Sequence, residues 1–420
     1  MYQKTTLSNG LRIVTSTMPH TFSVSLNLFV GTGSRYESSE KAGISHFIEH
    51  MCFKGTHRRP TPREISETVE SLGGAINAGT ERELTLYWAR VAHPHFPIAL
   101  DLLTDMIRCS RFDAEQIEKE RLVILEELKM TNDYPNARLD AIVDEMLWPN
   151  HPLGRDIAGT KESVLGITRE AMLDYMARQY IPSNGVISIA GDLSHQEVVD
   201  RVAPLWEDWP LNTPLGCSAA VDDQISPQFR LEHRKTDQAH LCIALRGLSA
   251  THPDRYALDL MSVILGEGMS SRLFLEMRER LGLVYDVYST PSHLQDSGAF
   301  LIYCGVDPKR SHRAIETVLA QIGDLRNGLS KEELHKAKEL SKGRLMLRME
   351  DTRAVSRWIG AQEMLLGQMH TVEEVISSVD AVTLEAVQRV ASDLLVTEKL
   401  NLAIVGPYRS DRRFSHLLKL

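Results

Sequence analysis

Ser45-His46-Phe47-Ile48-Glu49-His50-Met51 spells H-x-x-E-H. On a helix, histidines four apart stand one above the other on a single face, and Glu49, three residues after His46, shares that face. Two imidazoles at this spacing can hold one zinc ion, and a carboxylate beside them can take a proton from a water held there. The commoner zinc-peptidase motif places Glu after the first His; here it precedes the second, which is the inverted form. A surface helix carrying two solvated histidines and a Glu is the bland alternative, so the remaining ligand set has to be found elsewhere in the chain.

Catalytic zinc usually takes three protein ligands and leaves one position for water. The best segment for the third runs from Phe112 to Leu128 and reads as a helix with Asp113 as N-cap. Ile117, Ile124, Leu125 and Leu128 gather on its apolar face, and Glu126 falls with Lys119 on the polar side. Glu120 and Glu127, seven apart, share one line at the margin of the apolar stripe, where a carboxylate is costly unless paired or on a metal. Helix geometry therefore favours these two over Glu126 and leaves open which of them binds metal. Salt bridges to Arg121 or Lys119 would account for the pair equally well.

The run from His46 through Met51-Cys52-Phe53-Lys54-Gly55-Thr56 resembles the zinc segment of the pitrilysin family, which includes the mitochondrial processing peptidase. The match spans essentially the whole chain and is nearest to the short single-chain bacterial members. In that family the third ligand lies about 77 residues after the second His, which lands on Glu127. The resemblance thus implies that His46, His50 and Glu127 hold one zinc per chain, that Glu49 is the general base, and that Glu120 orients a ligand from behind. It implies further that Asn77 and Ala78 lie on a substrate-binding edge strand, in the run Gly73 to Thr80. Gly79 stands where the family often has a bulky aromatic. From Arg278 to Tyr285 the chain resembles the segment in which an Arg and a Tyr reach the substrate. Tyr285 would donate to the tetrahedral oxyanion and Arg278 would orient the peptide.

The chain also resembles itself at a shift of about 216 residues. Ser25–Gly31 aligns with His240–Gly247, Val186–Gly191 with Asn401–Gly406, and Phe112–Lys119 with Leu329–Lys336. Duplication of a domain of about 210 residues follows, with mixed strands and helices, so the fold class is α+β. The expected division is 1–210 for the metal-binding domain, 211–227 for a Pro- and Ser-containing linker, and 228–420 for a homologous domain. The second-half counterparts of the motif fall in Leu260–Leu265, and that of Glu127 falls near Arg344, so no ligand is repeated there. The fold itself does not demand these residues. In the run Gly266–Phe274 no Gly-Lys-Ser/Thr follows, which disfavours a phosphate loop.

The 420 residues carry a net charge of −9, with 43% hydrophobic and 25% charged residues, which disfavours nucleic acid as a partner. Five scattered cysteines fit reduced thiols. No leader-like segment or membrane span stands out, so a cytoplasmic protein without membrane attachment is expected. By resemblance, the two halves close like a clamshell over a cavity, the substrates are unfolded peptides, and two chains pair as a homodimer. A non-catalytic scaffold of the kind found as core subunits in respiratory complexes, or a peptide-binding chaperone, is the rival on the same fold. The intact motif argues against the scaffold, since those relatives have lost residues of it.

Overall fold

A computed structural model describes residues 2–410 and 412–420. The chain packs into two compact units. One comprises the segment ending at Lys129, Arg155–Ser218 and Met346–Thr371; the other comprises Met130–Gly154, Ala219–Leu345 and Val372–Leu420. Each unit therefore takes one segment from the opposite half of the sequence.

The first unit is built on a sheet of β1 (Tyr2–Thr6), β2 (Arg12–Thr17), β3 (Ser23–Val30), β4 (Ala75–Thr80), β5 (Thr85–Ala92) and β6 (Gly185–Gly191), in the order β1-β2-β6-β3-β5-β4. The second holds β7 (Gln228–His233), β8 (Ala239–Arg246), β9 (Val284–His293), β10 (Gly298–Val306) and β11 (Asn401–Gly406), in the order β7-β11-β8-β10-β9. Read from β2 onward, the two orders are the same. The pairing senses also agree: β2 with β6 and β7 with β11 are parallel, and the pairs that follow are antiparallel. The duplicated α+β fold expected from the sequence is present.

Strand β3 shows why the sequence folds this way. Its side chains alternate between two covered faces, as a central strand requires. Val24, Leu26, Leu28 and Val30 enter the main core of the unit with Phe47, Ile48, Leu102 and Met106. Ser25, Asn27 and Phe29 meet the helix Thr352–Leu366, which straps the other face. Thr352, Ser356 and Gly360 recur every four residues along that strap. Thr352 Oγ1 lies 3.1 Å from Ser25 Oγ, Asn27 donates to Ser356, and Ser188 Oγ donates to the Ser356 carbonyl at 2.6 Å. A Cβ on Gly360 would come within 2.2 Å of the Phe29 ring. Only small residues permit so close an approach.

The second unit covers its sheet likewise. Leu241, Ile243 and Leu245 of β8 point into one core, and Cys242 and Ala244 into another with Leu139, Ile142, Val143 and Met146 of the helix Pro135–Leu147. The five cysteines are unpaired. Among the described residues, no helix is long and apolar enough to cross a membrane.

Candidate metal centre

The H-x-x-E-H run forms the helix Ile44–Met51. It starts at Gly43, whose φ of +89° favours glycine and whose absent Cβ would lie 2.4 Å from the Ala158 carbonyl oxygen. The buried Glu37 carboxylate accepts from the Gly43 and Ser45 backbone N–H groups at 2.7 and 2.8 Å, which anchors the helix N-terminus. Burial pushes the Glu37 pKa up, against the pull of those two hydrogen bonds. Phe47, Ile48 and Met51 are buried in the core. This fixes the opposite face, which carries His46, Glu49 and His50.

The two imidazoles converge. His46 Nε2 and His50 Nε2 lie 3.1 Å apart. Glu127 Oε2, from the helix Ala114–Asp133, lies 3.8 Å from the first and 3.7 Å from the second. Ligands about 2.0–2.1 Å from a tetrahedral zinc stand roughly 3.3–3.4 Å from one another, so this triangle fits such an ion closely. Burial, and then the neighbouring His50, lower the His46 pKa to about 4, which keeps the ring neutral as a ligand requires. Among the described residues, these three form the one group of His, Cys, Asp or Glu side chains with converging ligand atoms.

Glu120 stands behind the triangle. His50 Nδ1 donates to its Oε1 at 2.8 Å, and Lys54 Nζ donates to its Oε2 at 2.7 Å. Burial alone would raise the Glu120 pKa, but the hydrogen bonds and charges of His50 and Lys54 together hold it below the usual carboxylate range. The His50 tautomer follows: Nδ1 carries the proton, and Nε2 presents its lone pair to the triangle. Glu120 has its ion pair with Lys54, and the partners expected from the sequence, Arg121 and Lys119, are engaged elsewhere. Arg121 pairs with Glu118 at 2.9 Å, Lys119 with Glu115 at 2.6 Å, and Glu126 with Lys129 at 2.5 Å.

Glu49 is 9% exposed, and its Oε2 accepts from the Thr80 hydroxyl at 2.9 Å. Burial raises its pKa, the Glu127 charge adds to this, and His50 and Thr80 work against it. A carboxylate beside the ligands with a raised pKa is suited to accept a proton. Thr80 ends β4, the edge strand of its sheet, which also carries Asn77 and Ala78. Asn77 is exposed, and its Oδ1 accepts from the Ala78 N–H at 2.8 Å. A Cβ on Gly79 would meet nothing within 4 Å. Lys54 and Thr80 had no assigned role in the sequence. Lys54 carried a signal, one helical turn after His50, but Thr80 meets Glu49 across 31 positions and carried none.

Arg278 and Tyr285 lie together in the second unit. Tyr285 is 75% exposed at a bulge where β9 slips against β10. Bulges of this kind re-aim a side chain. The Arg278 guanidinium sits 4.8 Å from the Tyr285 ring centroid and 4.9 Å from that of Phe274, and its Nη1 donates to the Tyr285 carbonyl at 3.0 Å. The second-half counterpart of the motif helix, Arg255–Gly266, buries Leu260, Met261, Val263, Ile264 and Leu265 at the positions that match the motif.

A duplicated α+β fold with an inverted His-Glu-His helix and a distal glutamate defines the class of inverted-motif metallopeptidase folds. Comparison with known proteins agrees. Residues 12–161 match the profile described as Insulinase (Peptidase family M16), and residues 166–341 that of the Peptidase M16 inactive domain. The chain is 38% identical over 412 residues to an "uncharacterized zinc protease YmxG" of Bacillus subtilis, covering 97% of this chain and 98% of that one. It is 31% identical to the mitochondrial-processing peptidase subunit beta of Dictyostelium discoideum, covering 96% of this chain and 88% of that one. The crystal structure of a protease from Helicobacter pylori has the same fold, with a TM-score of 0.89 at 22% identity over 97% of this chain and 99% of that one. The chain belongs to peptidase family M16.

Proposed function

We propose that this protein is a zinc-dependent endopeptidase that hydrolyses unfolded peptides within an enclosed chamber. The observation that carries the proposal is the convergence of His46 Nε2, His50 Nε2 and Glu127 Oε2 beside the Glu49 carboxylate. His46, His50 and Glu127 would hold one zinc, with Glu120 fixing His50. When bound, zinc supplies Lewis acidity, which makes water a nucleophile at neutral pH and stabilises negative charge on a carbonyl oxygen. Glu49 takes the proton from the attacking water and delivers it to the leaving amine. An extended peptide adds to the open edge of β4 near Asn77 and Ala78 through main-chain hydrogen bonds, which makes binding largely independent of substrate sequence. Tyr285 donates to the developing oxyanion, and Arg278 orients the peptide.

A homodimer, which rests on the family resemblance, and a cytoplasmic location belong to the same proposal. The scaffold reading has one point in its favour, the match of residues 166–341 to an inactive domain. That match lies outside the segment carrying His46, His50 and Glu127. Metal analysis of the purified protein and His50→Ala tests the ligand set, and peptide cleavage by the zinc-loaded protein separates the readings. The proposal expects about one zinc per chain in the wild type and loss of most of it in the variant. Equal metal content in both would remove His50 from the ligand set.

A further inference from the structure

A general base works only if one carboxylate oxygen faces the water it deprotonates, within about 2.6–3.2 Å. A glutamate has three rotatable bonds and two equivalent oxygens, so a base on a helix needs something to hold it. We infer that Thr80 is the positioning residue for Glu49; this rests on the peptidase reading above. The Thr80 hydroxyl donates to Glu49 Oε2 at 2.9 Å. That bond commits Oε2 to the strand and leaves Oε1 for the reaction.

Thr80 is itself held. It closes β4 opposite Thr85 in the ladder with β5, and the Glu81 N–H donates to the Leu84 carbonyl at 2.8 Å across the connecting turn. Thr85 is buried, and its hydroxyl donates to the Thr32 carbonyl at 2.9 Å. Thr32 Oγ1 lies 2.8 Å from the Tyr175 hydroxyl, which lies 3.1 Å from Ser45 Oγ on the motif helix. Thr32 and Ser45 are fully buried. The strand end that carries the donor and the helix that carries the base are thus tied by one buried network. A hydroxyl on a β-branched residue suits this place, since it fits a strand and donates without adding charge beside the ligands.

The test compares wild type, Thr80→Val and Thr80→Ser for zinc content, thermal midpoint, KM and kcat on a quenched-fluorescent peptide. Val keeps the shape and the backbone N–H and removes the hydroxyl. A hydrogen bond to a charged group supports an expected fall in kcat of about tenfold or more for Thr80→Val, with KM within about twofold. Zinc content and midpoint should stay as in the wild type, and Thr80→Ser should recover kcat to within about threefold. Unchanged kcat in Thr80→Val overturns the inference. So does a joint loss of zinc, midpoint and activity, which marks a structural role, and so does a Thr80→Ser as slow as the Val variant. If the zinc-loaded wild type cleaves no peptide, the peptidase reading itself fails and the role of Thr80 goes with it.

Discussion

His50 uses both ring nitrogens, Nδ1 on Glu120 and Nε2 toward the ligand triangle, whereas the buried His46 Nδ1 has no hydrogen-bond partner among the described residues. The site is therefore supported from one side. Glu120→Gln keeps the shape of the side chain but removes the charge that holds the His50 proton and Lys54. Zinc affinity, measured by chelator competition, is expected to fall by about 10–100-fold; an unchanged affinity would show that Glu120 does not support the ligand. Much at this scale was legible in the sequence. Helical geometry separated Glu120 and Glu127 from Glu126, because a 3.6-residue period sorts side chains by face. It did not separate Glu120 from Glu127, which share a line. What distinguishes them is a contact with a different helix, and periodicity carries no information about that.

Strands and helices were read in proportion to their local signal. Ser25–Val30 and His240–Arg246 are apolar-rich runs between turn residues, and both are central strands. The Asn9-Gly10 turn joins β1 to β2, with Gly10 at a φ of +92°. The exchange of helices between the halves was not read. The strap Thr352–Leu366 meets its sheet through Thr352, Ser356 and Gly360 beside Ile359, and these partners lie more than 160 positions away, which helical periodicity does not name. Gly360→Ala tests how tight that contact is. Alanine is the better helix former, so local propensity predicts stabilisation, while the 2.2 Å approach to Phe29 predicts overpacking. We expect overpacking to prevail, with a loss of about 1–3 kcal/mol in urea unfolding followed by tryptophan fluorescence. A gain would mean that Phe29 moves aside freely.

Among the described residues, two units with the same strand order carry one ligand triangle, which lies in the first, so duplication and chemistry are separable at the scale of the molecule. The self-similarity revealed the duplication because both sheets kept their central strands. It also showed the loss of ligands, because Leu260–Leu265 became wholly core. If zinc binds the folded chain and not the unfolded one, its removal lowers stability by linkage. Treatment with a chelator should lower the thermal midpoint by several degrees, and added zinc should restore it; identical midpoints would indicate that no stabilising metal was present. The most direct test of the central claim is cleavage of a quenched-fluorescent peptide library by wild type and Glu49→Gln, with zinc measured in both. The account predicts about one zinc per chain in each protein and cleavage by the wild type alone, with the variant slower by about 10²–10⁴-fold. Zinc in both with cleavage in neither, or equal cleavage by both, would contradict it.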